Sequence, residues 1–197
     1  QFMAGHSLGE IIALACAEAI KFHDALSIVK TRGELMAYAA ERQAGSMLAI
    51  WDMPLDLIEA KCSEWNNTNL CLETACINSE RQIVVSGHKE AIENFQQEVE
   101  KYGVRTRLLP VNAPFHCSIM KTIYSDFLEI LNTYEYMEPK YTVISNLTGR
   151  PYPSAHAIPS YLCEQLIKPV LWKQVMDYFI ERGVKEAVEI GARPTLI

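Results

Sequence analysis

Gly5-His6-Ser7-Leu8-Gly9 sets a serine between two glycines, directly ahead of an Ala-, Leu- and Ile-rich stretch from Leu8 to Ile20. That stretch is strong helix material, and Gln1 to Ala4 before it reads as the end of a strand. Strand end, glycine turn and helix in this order are the context of a nucleophile elbow. A serine hydroxyl becomes a useful nucleophile only when a base takes its proton and the backbone presents it. Gly5 and Gly9 allow the close backbone approach of a sharp turn. The helix that follows aims its leading N–H groups where an oxyanion forms, with the Leu8 N–H as one donor. A purely structural glycine turn gives the same string, so Ser7 needs a base to count as chemistry. With only Gln1–Ala4 ahead of Gly5, the chain is expected to be a fragment lacking an N-terminal portion of the same fold.

Further along, a second helix is predicted from about Asp24 to Arg42, closed by Gly45. Strands are predicted at Ser46–Trp51, Leu72–Ile77, Gln82–Ser86 and Val104–Pro110, with Asn78–Glu80 as a turn. Helices at Pro54–Trp65 and Lys89–Tyr102 complete a β-α-β-β-α-β order, the ferredoxin-like split unit. Residues 45–111 are therefore expected to form a small subdomain inserted into a larger one made of residues 1–44 and 112–197. The larger part resumes with a helix at Cys117–Tyr134, a strand at Tyr141–Ser145, and helices at Pro159–Ile167 and Trp172–Arg182. Gly183 is a stop signal, and Val184–Ile190 reads as a final strand. Strands alternating with helices predict an α/β fold, a parallel, three-layer, α/β-hydrolase-like core carrying that ferredoxin-like insert.

Composition narrows the function classes. With 49% apolar residues in 197, the chain has enough to bury a core without disulfides. Its net charge is −6 and no Lys/Arg block stands out, which gives no electrostatic case for nucleic acid or an anionic membrane. No apolar stretch approaches the roughly 18 residues that span a bilayer. The six cysteines form no C-x-x-C pair and mostly lie in apolar segments. They read as reduced, buried thiols of a cytoplasmic protein, with no metal site.

Among the histidines, His6 neighbours Ser7 and should point away from its hydroxyl. His23 and His88 open predicted helices, and His156 lies in a loose Pro- and Ser-containing loop. His116 follows Val111-Asn112-Ala113-Pro114-Phe115 at the predicted seam between the two subdomains. There it is either a general base facing a cleft or an ordinary surface histidine. No Asp or Glu just ahead of it is placed at a strand end, and the chain continues well beyond it. Both points fit a lipase or esterase poorly, because there the acid precedes a late histidine.

Four stretches together carry a family resemblance: Gly5-His6-Ser7-Leu8-Gly9-Glu10, Thr31-Arg32-Gly33-Glu34-Leu35-Met36, Ala113-Pro114-Phe115-His116-Cys117-Ser118-Ile119-Met120 and Glu164-Gln165-Leu166-Ile167-Lys168-Pro169-Val170-Leu171-Trp172. In that order they resemble the malonyl-CoA:acyl carrier protein transacylases and polyketide synthase acyltransferase domains, from end to end of the chain. The resemblance implies that Ser7 attacks a malonyl-CoA thioester with His116 as base. The acyl group then passes to the phosphopantetheine thiol of an acyl carrier protein, in fatty acid or polyketide synthesis. It implies malonyl-CoA and the carrier protein as substrates, with no bound cofactor. It also implies that the backbone carbonyl of Gln165 orients His116, which accounts for the missing acid. Arg32, on its residue pattern alone an exposed helix position, becomes the partner of the malonyl carboxylate. Phe115 resembles the aromatic of malonyl-selective members, whose bulk excludes a methyl branch. Pro114 stands where modular synthase domains more often have alanine, which leans towards a free-standing enzyme. The family's second oxyanion donor comes from an N-terminal glutamine loop ahead of these residues. The isolated piece is therefore expected to hold half an oxyanion hole, to be inactive and to fold poorly. Two alternatives remain at this point: a hydrolase that clears acyl groups from carrier proteins, and a non-catalytic carrier-docking module.

Overall fold

From Gly45 to His88 apolar residues dominate the strand segments, and the reason is a sheet covered on both faces. The computed structural model describes residues 1–66 and 69–191. Strands β1 (Phe2–Met3), β2 (Gly45–Trp51), β3 (Leu72–Ser79), β4 (Gln82–His88), β5 (Arg105–Leu108) and β6 (Thr142–Val143) form two sheets. Helices α1 (Leu8–Cys16), α2 (Phe22–Arg42), α3 (Leu55–Asn66), α4 (Lys89–Glu100), α5 (Tyr124–Leu131), α6 (Ile158–Glu164) and α7 (Trp172–Glu181) pack around them. The larger sheet is antiparallel in the order β3-β4-β2-β5. Side chains alternate across a strand. Leu48, Ile50, Ile83 and Val85 thus meet Ile58 and Cys62 of α3 and Ile92 and Phe95 of α4. Met47, Ala49 and Val84 point the other way, onto Val170 and onto Trp172 and Val175 of α7.

The second sheet is short. β1 and β6 pair in parallel, Phe2 opposite Thr142 and Met3 opposite Val143. Met3 and Val143 face the core built by α1, α2, α5 and α6, whereas Phe2 faces α7, its ring 5.8 Å from that of Tyr178. Helices on both sides of a parallel pair make an α/β arrangement. No helix among the described residues is long and apolar enough to cross a membrane. All six cysteines are unpaired; Cys16 is exposed, against expectation, and Cys71 is half-buried.

Several boundaries differ from those the sequence predicts. Helix α1 stops at Cys16 rather than Ile20, because Glu18 turns left-handed at φ 58°. The freed carbonyls of Ala17 and Ala19 accept the N–H groups of Lys140 and Met137. The helix expected at Cys117–Tyr134 divides into a 3-10 turn, Ser118–Ile123, followed by α5. Its start is held by the Glu73 carboxylate, which accepts both the N–H and the hydroxyl of Ser118. Gly45 does not end α2 but begins β2, where a Cβ would lie 2.5 Å from the Pro114 ring. Gly183, at φ 70°, does end α7: its N–H and that of Val184 bond back to Ile180 and Phe179. The strand expected at Val184–Ile190 does not form among the described residues, and Ile190 is 94% exposed. A strand needs a neighbouring edge to satisfy its backbone, and among the described residues neither sheet pairs with this segment.

Candidate active site

Ser7 sits between β1 and α1 with φ 54° and ψ −109°, a conformation few L-residues adopt. Only the first glycine of the motif is sterically required. A Cβ on Gly5 would lie 2.0 Å from the Gly9 carbonyl oxygen, whereas one on Gly9 meets nothing within 4 Å. The strain is held from outside by Asn146, just beyond β6. Its Oδ1 accepts the Ser7 N–H at 2.6 Å and its Nδ2 donates to the Gly5 carbonyl at 2.9 Å. Leu8 opens α1, so its N–H is among the leading donors that a helix leaves unpaired.

His116 comes to Ser7 from the segment that follows β5. It too has a positive φ, 58°, and is 4% exposed. Its Nδ1 lies 2.7 Å from the Gln165 carbonyl oxygen, which can only accept, so that nitrogen carries the proton. Nε2 is then a lone pair facing Ser7 Oγ at 2.7 Å, and the hydroxyl donates to it. Burial first, and the charge of Arg32 second, push the imidazole pKa down to about 3. It is therefore neutral, as a base must be, throughout the neutral range. The sign for stability follows: the unfolded side chain binds its proton near 6.5. The contribution is present above that pH and is lost as the pH falls from there towards 3.

Arg32 reaches the same point from α2. The buried residues of that helix are Ala25, Ile28, Arg32, Met36 and Ala39, so the arginine occupies the apolar stripe and is 5% exposed. Its Nη2 donates to Ser7 Oγ at 3.1 Å and to Gln165 Oε1 at 3.2 Å. Nε is buried with no partner. Burial lowers the guanidinium pKa to about 10, which leaves it charged at neutral pH. A buried cation with a spare donor beside the Ser7 hydroxyl is suited to an anionic group. The burial of Arg32 corrects the exposed position that its residue pattern alone suggests; the signal against that reading is the step of four that aligns Arg32 with Ile28 and Met36.

Phe115 lines a cleft of about 610 Å³ together with Ser7, Arg32, Met36 and Ala113. The side chain of Gln165 does more than its expected backbone role requires. Its Nε2 donates to the Ser7 carbonyl at 3.1 Å and to buried Glu10. His6 turns away from Ser7, as expected, and its Nε2 meets Asn78 Oδ1 at 2.9 Å. His88 accepts the Cys71 N–H through Nδ1, and no group of His, Cys, Asp and Glu among the described residues is arranged to hold a metal. Asn146, Glu10 and the Gln165 amide are absent from the sequence expectations. For Asn146 a signal existed: it directly follows the predicted strand Tyr141–Ser145, at the carboxyl end where parallel sheets place their sites.

Residues 1–197 match the acyl transferase domain family. A malonyl CoA-acyl carrier protein transacylase of Bacillus subtilis is 36% identical over 196 residues, covering 100% of this chain and 49% of that protein. The structure of the malonyl CoA-acyl carrier protein transacylase (fabD) from Coxiella burnetii superposes with a TM-score of 0.89 at 34% identity, covering 94% of this chain and 58% of that one. A malonyl-transacylase solved in complex with a type II PKS acyl-carrier protein (PlMCAT:AntF) gives 0.88 at 34% identity, over 93% of this chain and 59% of that one. The chain thus spans about half the length of the curated relative. With a family match over residues 1–197 and a fold shared with solved transacylases, the chain belongs to the acyl transferase domain family.

Proposed function

We propose that the protein carrying this chain moves a malonyl group from malonyl-CoA to the phosphopantetheine thiol of an acyl carrier protein, through an ester on Ser7. The observation that carries this reading is the Ser7–His116–Gln165 chain of hydrogen bonds with the Arg32 guanidinium alongside. Ser7 Oγ attacks the thioester carbonyl as its proton passes to His116 Nε2. The oxyanion meets the Leu8 N–H, and CoA leaves as the thiol with the proton from His116. The carrier thiol repeats the cycle in reverse, so the scheme needs side chains and two substrates and no further cofactor. A malonyl ester hangs its carboxylate one methylene from the carbonyl carbon, and the unpartnered Nε of Arg32 supports a pairing there. An uncharged acetyl group forgoes it.

The order of β2 to β5 and their separate hydrophobic core support reading residues 45–111 as a ferredoxin-like subdomain within an α/β-hydrolase-like body of residues 1–44 and 112–197. Six unpaired cysteines support a cytoplasmic setting.

Intact-mass measurement after mixing with malonyl-CoA, then holo carrier protein, tests the scheme. A malonyl adduct on Ser7 that moves to the carrier is expected. An adduct that decays to free malonate with the carrier unloaded makes the protein a hydrolase, and no adduct leaves a docking module.

Two further outcomes are expected. Phe115→Ala opens the cleft beside the acyl α-carbon. A methyl is worth about 1–3 kcal/mol in such a pocket. The malonyl over methylmalonyl preference in competition assays should therefore shrink by roughly 10- to 200-fold; an unchanged ratio places the methyl elsewhere. The pH profile of transfer should keep its rate down to about pH 5, because His116 is held neutral. An acid limb centred near 6.5 contradicts a buried, neutral base.

A further inference from the structure

Glu10 lies behind the reacting groups, on the first turn of α1, 1% exposed, and no step of the proposed transfer uses it. A buried carboxylate persists only where donors surround it. Its Oε2 accepts the backbone N–H of Asn146 at 3.2 Å and Nε2 of Gln165 at 2.5 Å. Its Oε1 accepts the Tyr152 hydroxyl. Two of these donors belong to the residues that hold Ser7 and His116. Asn146 clips the elbow across the Ser7 N–H and the Gly5 carbonyl. Gln165 takes the His116 Nδ1 proton on its carbonyl and holds the Ser7 carbonyl with its amide. Ser7 and His116 both occupy positive-φ backbone, which relaxes unless its surroundings fix it.

We propose that Glu10 is the positioning residue shared by both catalytic side chains, fixing Asn146 and Gln165 together and so setting the Ser7–His116 hydrogen bond. It acts through those two residues and touches no substrate. Burial pushes the Glu10 carboxyl above its ordinary pKa, and the hydrogen bonds from Tyr152, Gln165 and Asn146 work against that rise.

This inference rests on the proposed function for Ser7 and His116, and its test is chosen to stand apart from the malonyl reading. Glu10→Gln keeps the shape: its amide oxygen can replace Oε2, and its amide nitrogen can donate to the Tyr152 oxygen. Glu10→Ala removes the acceptor. In the protein carrying this chain, two rates are measured per folded molecule. One is kcat and KM for malonyl transfer; the other is labelling of the serine by a fluorophosphonate probe, which needs no malonyl group. Glu10→Ala is expected to lower kcat and the labelling rate by about 100-fold with KM within about twofold, the scale of a misplaced reacting group. Glu10→Gln, which loses charge but not geometry, should lose roughly tenfold. Adding Asn146→Ala to Glu10→Ala should cost nothing more, because the clip is already released. Unchanged kcat and labelling per folded molecule in both variants, a change in KM alone, or fully additive losses in the double variant would each overturn the proposal. A wild-type protein that labels but does not load the carrier overturns the malonyl reading alone, since labelling still reports on Glu10.

Discussion

Ser7→Ala is expected to leave no acyl adduct and to lower carrier loading by roughly 10⁴- to 10⁶-fold. A covalent ester needs an oxygen to form on, and no hydroxyl other than that of Ser7 bonds to His116 Nε2 among the described residues. The residual rate reflects what the Leu8 N–H and Arg32 still do for a bound thioester. His116→Asn should lose a comparable factor. Asparagine tolerates the positive φ of that position better than alanine, so the loss reports the missing base rather than a disturbed backbone. Because the two residues act as a unit, the double variant should be no slower than either single one. Intact mass and single-turnover loading measure all three. A malonyl adduct that survives in Ser7→Ala assigns the nucleophile to another side chain and ends the elbow reading.

For Arg32→Ala the expected change is in choice more than in speed. Charge-assisted bonds to a carboxylate are worth roughly twice those of neutral groups, and leaving a buried carboxylate unpaired should cost malonyl-CoA about 3 kcal/mol in kcat/KM. That is roughly 10²-fold, and acetyl-CoA, which has no carboxylate, should lose far less. Arg32 also donates to Ser7 Oγ and to Gln165, which gives the experiment its second arm. If malonyl and acetyl rates fall together, the guanidinium serves the nucleophile and not the substrate carboxylate. Arg32→Lys should not restore selectivity, because an ammonium cannot present two parallel donors to one carboxylate.

Much of this arrangement is legible in the sequence, in proportion to how local its cause is. The order of α3, β3, β4, α4 and β5 follows from apolar patterns and turn residues within a few positions, and the boundaries fall within a few residues of those predicted. Ser7, His116 and Arg32 are found by motif and order, and they converge on one point in space. What was not legible has distant causes. The division of the Cys117–Tyr134 helix depends on Glu73, 45 residues earlier. The strand expected at Val184–Ile190 has the right side chains, but pairing depends on an edge its own pattern does not contain. Glu10 and Asn146 look like an acidic helix residue and a loop asparagine until they meet across 136 residues. The contacts of the Gln165 side chain leave no local trace, because its backbone role makes no demand on residue type.

The separation of these contacts along the chain has a consequence for biosynthesis. β1 pairs with β6, and Ser7 is held by Asn146, His116 and Gln165, the last 158 residues away. The hairpin of β3 and β4 closes within a few residues and can form as soon as it emerges, whereas the elbow has nothing to hold its strained backbone until its partners are made. At typical elongation rates the interval between Ser7 and Gln165 is on the order of 10 s. Within it the Ser7 backbone has no clip until Asn146 is made, and His116 has no carbonyl to orient it until Gln165 follows, so on the proposed reading the nascent serine stays chemically silent until the end of that interval.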